Sequence, residues 1–201
     1  WRAEMYYGDA WVFPGGTVDD DDQTPAALAC VPAEVRARCV RRIAMPCAPA
    51  LPEAGAIGLY VAACRETFEE TGLLLARNAD GTACSEVQLA RIRARRDEIA
   101  ARKGAFTELL NEECLTLELD RFVYWTHWIT PVTAPKLFDV HFFATELVAG
   151  QELMTEQRES TAIAWIRPNQ MIEAYRSGSA SLMPPTLLTL MDLADCEERH
   201  G

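Results

Sequence analysis

Three glutamates in the segment RETFEETGL, residues 65–73, stand close enough in the sequence to act together. Glu66, Glu69 and Glu70 are spaced i, i+3 and i+4, which places them on one face of an α-helix. Like charges at this spacing repel by roughly a few tenths of a kcal/mol. Together, however, they form an oxygen-rich site of the kind that Mg²⁺ and Mn²⁺ prefer. Such ions bridge phosphate oxygens, neutralise developing negative charge and activate water.

The same spacing is also typical of an ordinary solvent-exposed helix face, where runs of charge are common. Arg65 and Glu69 form an i, i+4 pair that would partly neutralise such a face. The helix alone therefore leaves both interpretations open. A second feature favours the metal site: the turn PGG, residues 14–16, has little side-chain bulk and would let a carbonyl or a phosphate approach closely.

The composition restricts the class of partner. The chain has 201 residues and a formal charge of −11, with 30 acidic and 19 basic side chains. This balance argues against a nucleic-acid polymer or an anionic membrane surface, because both require a basic footprint. A small anionic ligand remains compatible with the charge if a divalent cation mediates its binding. An apolar content of 49% predicts a globular chain, long enough for a single domain over residues 1–201.

The seven cysteines indicate a reducing compartment. Their number is odd, and they form neither a CxxC pair nor a zinc-ligand spacing. No apolar run approaches the length of about 18 residues that a membrane span needs. We therefore expect a cytoplasmic protein that does not associate with a membrane.

The elements that position the glutamates follow from the local pattern. DAWVFPGGTV predicts a short strand that ends in the PGG turn, and residues 59–71 predict a helix with Gly72 as its C-cap. Between them, the composition of residues 19–58 changes from an acidic run to a helical segment and then to a Pro/Ala-rich stretch. We interpret this region as an insertion with one helix of its own.

Strands and helices alternate irregularly in the rest of the chain, which predicts a mixed β-sheet with helices packed on it. The predicted strands are 121–131, 136–147 and 161–168, and the predicted helices are 85–103, AFTELLNEEC, NQMIEAYRSG and PPTLLTLMDLADCEE.

RETFEETGL resembles the second half of the Nudix box, R-E-x-x-E-E-x-G followed by an aliphatic residue. VFPGGTVDDDD resembles its first half: Gly16 is followed by five residues and then by Asp22, where the family usually has Glu. The box arginine is then due at position 30 but stands at position 65, which leaves 35 extra residues inside the box. A box split by an insertion, at about residues 23–58, resembles the branch of Nudix hydrolases that includes the peroxisomal coenzyme A diphosphatase.

The resemblance implies an α/β/α sandwich around a mixed sheet, with a helical insertion inside the Nudix box. It implies that Glu69 and Glu70 are the main ligands of Mg²⁺ or Mn²⁺. It also implies that Glu66 is a further ligand or orients the attacking water, and that the carbonyl of Gly15 or Gly16 completes the metal shell. Arg65 would belong to the catalytic element by holding the carboxylates through charge-assisted hydrogen bonds.

Several other residues admit two interpretations. Asp19–Asp22 fit a solvated acidic loop, a helix cap or a contact behind the metal, and Asp22 is the strongest functional candidate because of its register. Glu156 and Glu159 could supply a general base or an extra ligand, against the alternative of surface charge. His127 and His141 alternate with apolar neighbours and fit structural histidines, although His141 could approach the phosphates.

Two functions follow from these observations. The first is a metal-dependent hydrolase that cleaves the pyrophosphate of a nucleoside diphosphate linked to another moiety, with coenzyme A or acyl-coenzyme A as the substrate suggested by the resemblance. The alternative is a non-catalytic module with a Nudix fold that binds a nucleotide or a protein. The intact R-E-x-x-E-E favours the hydrolase. The sequence leaves open whether the molecule forms a homodimer.

Overall fold

A computed structural model describes residues 10–43, 51–131, 133, 136–147, 150–154 and 163–200. The helices are α1 Pro25–Ala29, α2 Ala33–Ile43, α3 Glu53–Thr71, α4 Glu86–Arg93, α5 Arg96–Ala101, α6 Ala105–Glu112, α7 Pro168–Arg176 and α8 Pro184–His200. The strands are β1 Ala10–Trp11, β2 Ala76–Asn78, β3 Leu115–Leu117, β4 Val123–Ile129, β5 Asp139–Ala144 and β6 Ser181–Leu182. Short 3₁₀ helices cover Asp20–Gln23 and Leu119–Arg121.

The strands pair in both orientations, as the predicted mixed sheet requires. β1 runs parallel to β6, whereas β2 with β3 and β4 with β5 are antiparallel. In the described residues the ladder hydrogen bonds link the strands in three separate pairs. The register of β4 and β5 shifts between Tyr124 and Thr126, as it does at a β-bulge.

The helix that carries the three glutamates, α3, is the centre of the larger hydrophobic core. It begins at Glu53, six residues before the predicted start, because the Pro/Ala-rich stretch continues into the helix. Gly58 is required there, since a Cβ atom at this position would lie 2.5 Å from Cγ of Gln23. The glycine therefore lets the insertion pack closely against α3.

The insertion is more structured than the single predicted helix. It contains a 3₁₀ helix, α1 and α2, and α1 begins at Pro25 with the Thr24 hydroxyl accepting the N–H of Ala27 at 3.2 Å. Its apolar side chains join those of α3 and α6 in one buried cluster: Val31, Val35, Cys39, Ile43, Ile57, Val61, Phe68, Phe106 and Leu110. The insertion thus forms one wall of the core that holds α3.

Two further predictions need correction. The predicted helix 85–103 is two helices, α4 and α5, and the break at Ala94 and Arg95 redirects the chain so that Arg96 reaches the end of α3. The predicted strand 161–168 has its first two residues outside the described part of the chain. Residues 163–167 form no strand, and α7 begins at Pro168, whose fixed φ angle suits the first helical position.

Two predictions, on membrane spans and on the cysteines, can be compared with the described residues. There, no helix has both the length and the apolar character that crossing a membrane requires. The six cysteines in this part of the chain are free thiols: Cys30, Cys39, Cys64, Cys84, Cys114 and Cys196.

The end of α3 supplies a stability prediction. Gly72 has φ +72°, and a Cβ atom there would lie 2.5 Å from Cγ and Sδ of Met154. We expect Gly72→Ala to lower the free energy of unfolding by about 2–3 kcal/mol, from left-handed strain plus displacement of the methionine. The matched control is Gly81→Ala, where φ is +86° and a Cβ atom would meet no atom within 4 Å. Urea unfolding of both variants checks this, and equal losses would show that the contact with Met154 contributes nothing.

Candidate active site

The last two turns of α3 carry all three predicted glutamates on one half-buried face. The side chains of Glu66 and Glu69 are each 15% exposed, which contradicts a freely solvated helix face. The burial has a cost, because desolvation disfavours a charged carboxylate. Nearby positive charge offsets this cost, and part of that charge comes from Arg65.

The guanidinium of Arg65 connects the glutamates to the first half of the motif. Its Nη1 donates to Oε1 of Glu66 at 2.9 Å and to Oε1 of Glu69 at 3.2 Å. Its Nε and Nη2 donate to the two carboxylate oxygens of Asp22, each at 3.0 Å, and Nη2 also donates to the carbonyl of Thr17 at 2.8 Å. This planar fork fixes the carboxylates in a way that a lysine could not.

Asp22 is a buried partner of Arg65, so the interpretation of a solvated loop is wrong for this residue. It is 3% exposed, and its Oδ2 also accepts the backbone N–H of Asp19 at 2.8 Å. The spacing of Asp22 from Gly16, rather than its acidic neighbours, was the informative signal. The 35 extra residues leave the contact between the two halves of the motif intact.

The PGG turn lies directly against the glutamates. The backbone N–H of Gly15 donates to Oε2 of Glu70 at 3.1 Å. A Cβ atom at Gly16 would lie 2.3 Å from Oε1 of Glu66, so a larger residue there would displace this carboxylate. The turn therefore approaches the helix as closely as the sequence predicted, and both glycines contact the cluster.

Burial dominates the electrostatics of the cluster. Burial raises the pKa of Glu70 to about 7, although the N–H of Gly15 opposes the shift. Burial also raises the pKa of Glu69, against the lowering effect of Arg65. Burial alone would lower the pKa of Arg65. The ion pair with Asp22 outweighs this effect and raises the pKa. Half-buried carboxylate oxygens suit a hard divalent cation, so the donor set fits Mg²⁺ or Mn²⁺.

Two residues that sequence reasoning missed hold the end of α3. Arg96, on α5, donates to the backbone carbonyls of Glu69 and Glu70 at 2.6 and 2.7 Å. These carbonyls belong to the last turn and lack helical partners. The side-chain amide of Gln151 bonds both to the N–H and to the carbonyl of Leu74, at 2.9 and 2.8 Å, in the chain that leaves α3. A surface arginine and a loop glutamine carry no sequence signal for these contacts.

The other candidate site residues are Glu156, Glu159, His127 and His141. Glu156 and Glu159 lie outside the described residues. His127 and His141 lie together on β4 and β5 with Asp139, and the rings of the two histidines stack 4.1 Å apart. Burial, followed by the neighbouring His127, lowers the pKa of His141.

Comparison with known proteins identifies the family and the fold. The family model described as the NUDT19 Nudix domain matches residues 2–193. A crystal structure of a NUDIX hydrolase from Alicyclobacillus acidocaldarius is similar with a TM-score of 0.71 and 25% identity, covering 97% of this chain and 81% of that one. The chain belongs to the Nudix hydrolase family, and the predicted Nudix-type α/β fold is confirmed.

Within that class, the chain belongs to the NUDT19 Nudix domain family. It is 26% identical over 151 residues to the Xenopus laevis "Acyl-coenzyme A diphosphatase NUDT19", and 26% identical over an alignment of 217 residues to the Gallus gallus protein of the same name. It is 25% identical over 138 residues to "Putative nudix hydrolase 7" of Caenorhabditis elegans. The alignments cover 69%, 92% and 69% of this chain and 40%, 57% and 44% of these relatives, respectively, so the chain spans about half their length. The predicted resemblance to this branch of the Nudix hydrolases is thereby confirmed.

Proposed function

We propose that this chain hydrolyses the pyrophosphate bond of a nucleoside diphosphate linked to another moiety, in a reaction that depends on Mg²⁺ or Mn²⁺. The observation that carries the proposal is the convergence of Glu66, Glu69 and Glu70 with the PGG turn on one half-buried face. A surface patch would not need a buried arginine fork behind it or a glycine beside it. The single observation thus favours a functional site over a solvated face.

Each residue has a role in the proposed site. Glu69 and Glu70 are the main metal ligands, Glu66 is a further ligand or orients the attacking water, and a carbonyl of Gly15 or Gly16 completes the shell. When bound, the cation neutralises charge on the phosphates and lowers the pKa of water. Arg65 is a positioning residue, because it reaches the reaction only through the carboxylates it holds. Fixed ligands reduce the reorganisation needed in the transition state.

The substrate proposal rests on the names of the relatives. Two of them are acyl-coenzyme A diphosphatases, so coenzyme A or an acyl-coenzyme A is the first substrate to test. Cleavage of its diphosphate by water would release a 3′,5′-nucleotide and a phosphopantetheine. ADP-ribose, dinucleotides and nucleoside triphosphates carry the same chemical group and are the competing substrates.

A substrate panel tests the proposal. Coenzyme A, an acyl-coenzyme A, ADP-ribose, NADH and nucleoside triphosphates would be incubated with the full chain and Mg²⁺ or Mn²⁺, and the products identified by mass spectrometry. Cleavage of a coenzyme A substrate to the two expected products supports the proposal. Tight binding of these compounds without cleavage by folded protein would favour the alternative, a non-catalytic nucleotide-binding module.

The two glycines of the turn give a prediction with a built-in control. Gly16→Ala places a methyl group against the carboxylate of Glu66, whereas a Cβ atom at Gly15 would meet nothing within 4 Å. Because the displaced group is the end of a flexible side chain, we expect Gly16→Ala to cost less than about 1 kcal/mol of stability. We expect it to lower kcat/KM about 100-fold, since misplacement of about 1 Å has effects of this size. Steady-state kinetics of the two variants, with Gly15→Ala near wild type, check this; equal activities would contradict it.

The remaining proposals concern the whole molecule. We propose that residues 1–201 form one Nudix domain that acts on a small molecule in a cytoplasmic compartment, without a nucleic-acid polymer or a membrane as partner. The net charge of −11 and the free thiols support this. A homodimer is the oligomeric alternative to a monomer, and sedimentation velocity distinguishes them.

A further inference from the structure

A second cluster of metal-ligating side chains lies on the β4–β5 hairpin. His127 on β4 is paired directly with His141 on β5, and Asp139 precedes His141 by two residues. Side chains two residues apart on a strand point to the same face, as do directly paired residues on neighbouring strands. The register therefore places two imidazoles and one carboxylate on the same face of the hairpin.

The donor atoms of these three residues are close together. One ligand atom of each lies within 4.8 Å of those of the other two. Oδ1 of Asp139 is 3.3 Å from Nε2 of His141 and is hydrogen-bonded to Nε2 of His127. A tetrahedral ion with bonds of about 2.0–2.1 Å holds its ligand atoms about 3.3 Å apart, so the widest separation needs to shorten by about 1.5 Å at most.

A tyrosine completes the cluster behind His141. The hydroxyl of Tyr124 lies 2.7 Å from Nδ1 of His141, which leaves Nε2 facing Asp139. Ligating histidines characteristically use their second nitrogen in a hydrogen bond of this kind, which fixes the ring and its tautomer. The ring of Tyr124 is itself packed edge-on against Phe143, with centroids 5.5 Å apart. The orientation of His141 is thus set by the core rather than by solvent.

We propose that His127, Asp139 and His141 bind a divalent transition-metal ion of the Zn²⁺ class, and that this site links β4 to β5. Two imidazole nitrogens and one carboxylate oxygen favour Zn²⁺, Co²⁺ or Ni²⁺ over Mg²⁺, which prefers oxygen donors. The side chain of Asp139 is 65% exposed, so the ion can enter from solvent and keep water in its remaining position. The site is separate from the glutamates of α3 in both residues and donor type.

This site does not depend on the proposed hydrolysis. Its ligands come from the hairpin alone, and its effect is to cross-link two paired strands whose register shifts between Tyr124 and Thr126. Binding to the folded hairpin but not to the unfolded chain raises the thermal midpoint. Zn²⁺ binding to the hairpin can therefore be observed even if no substrate is hydrolysed. Likewise, hydrolysis can be observed even if the hairpin binds no Zn²⁺.

The test uses the full chain, stripped of metal and titrated with Zn²⁺. The sequence has only three histidines, so an imidazole ¹H–¹⁵N spectrum contains three ring systems, and binding should shift two of them while leaving His200 unchanged. Calorimetry should give one ion per chain. His141→Gln and Asp139→Ala should each weaken binding by more than tenfold, and Tyr124→Phe by about 10–100-fold, as for other residues behind a ligand. The thermal midpoint should rise by several degrees with Zn²⁺ in wild type, and by less in His141→Gln and Asp139→Ala.

Two control variants make the outcome decisive. Glu69→Gln alters the carboxylate site on α3 and should leave Zn²⁺ binding to the hairpin unchanged. Cys114→Ser with Cys196→Ser removes the two thiols that are exposed in the described part of the chain. If binding follows the thiols or Glu69, or if Asp139→Ala retains full affinity, the proposed site is wrong. Asp139 is the preferred variant because its side chain is 65% exposed and its replacement leaves no cavity in the core.

Discussion

Glu69→Gln is expected to lower kcat/KM for the diphosphate substrate by about 10³-fold while leaving the fold intact. The substitution keeps the shape of the side chain but removes the charge that holds the cation. A metal ion contributes several kcal/mol of transition-state stabilisation, and each 1.36 kcal/mol changes the rate tenfold. Steady-state kinetics with Mg²⁺ measure the loss. The helix should persist because the contact of Arg65 with Glu69, at 3.2 Å, can also be made by an amide oxygen.

The matched control is Glu86→Gln, an exposed glutamate in the first turn of α4. It removes the same charge from the chain and should leave kcat/KM unchanged. A Glu69→Gln protein as active as this control would place the metal elsewhere. A parallel loss in both would attribute the effect to net charge rather than to the site.

Asp22→Ala is expected to lower the free energy of unfolding by about 3–5 kcal/mol. It leaves the buried guanidinium of Arg65 without the carboxylate that accepts from both Nε and Nη2. Removing one partner of a buried ion pair typically costs this much, since the other charge remains in a low-dielectric environment. Urea unfolding measures the loss. Asp20→Ala, at an exposed position in the same acidic run, is the control and should change stability by less than about 0.5 kcal/mol.

A double-mutant cycle separates this ion pair from general packing. In the background of Arg65→Met, which has no charge to leave unpaired, Asp22→Ala should cost much less than in wild type. Equal costs in the two backgrounds would show that Asp22 stabilises the fold without Arg65. The activity of Asp22→Ala should also fall, because the fork no longer holds Glu66 and Glu69.

The site could be predicted to the extent that it depends on local spacing. A helix places i, i+3 and i+4 together whatever surrounds it, so the face of Glu66, Glu69 and Glu70 followed from the sequence alone. The turn at residues 14–16 followed from its glycines. The contact of Asp22 with Arg65 was only partly predictable, because acidic neighbours concealed it and only its register distinguished it. Arg96 could not be predicted, since its contact depends on where α4 breaks.

The fold, too, was predictable only where the sequence carries a clear local pattern. The terminal helix α8 and the aromatic strands β4 and β5 were predicted, whereas β2, β3 and β6 have two or three residues and leave almost no pattern. The start of α3 was misplaced because its glycines are typical of loops; at Gly58 the glycine instead serves close packing against Gln23. The histidine cluster depends on the register between strands, which neither strand specifies by itself.

The most direct test of the central claim is hydrolysis of coenzyme A by protein stripped with a chelator and then refilled with Mg²⁺. Mass spectrometry would follow wild type and Glu69→Gln side by side. We predict no products from stripped protein, a 3′,5′-nucleotide and phosphopantetheine after refilling, and about 10³-fold less of both from the variant. Full cleavage by stripped protein, or by the refilled variant, would contradict a metal-dependent hydrolase centred on the glutamates of α3.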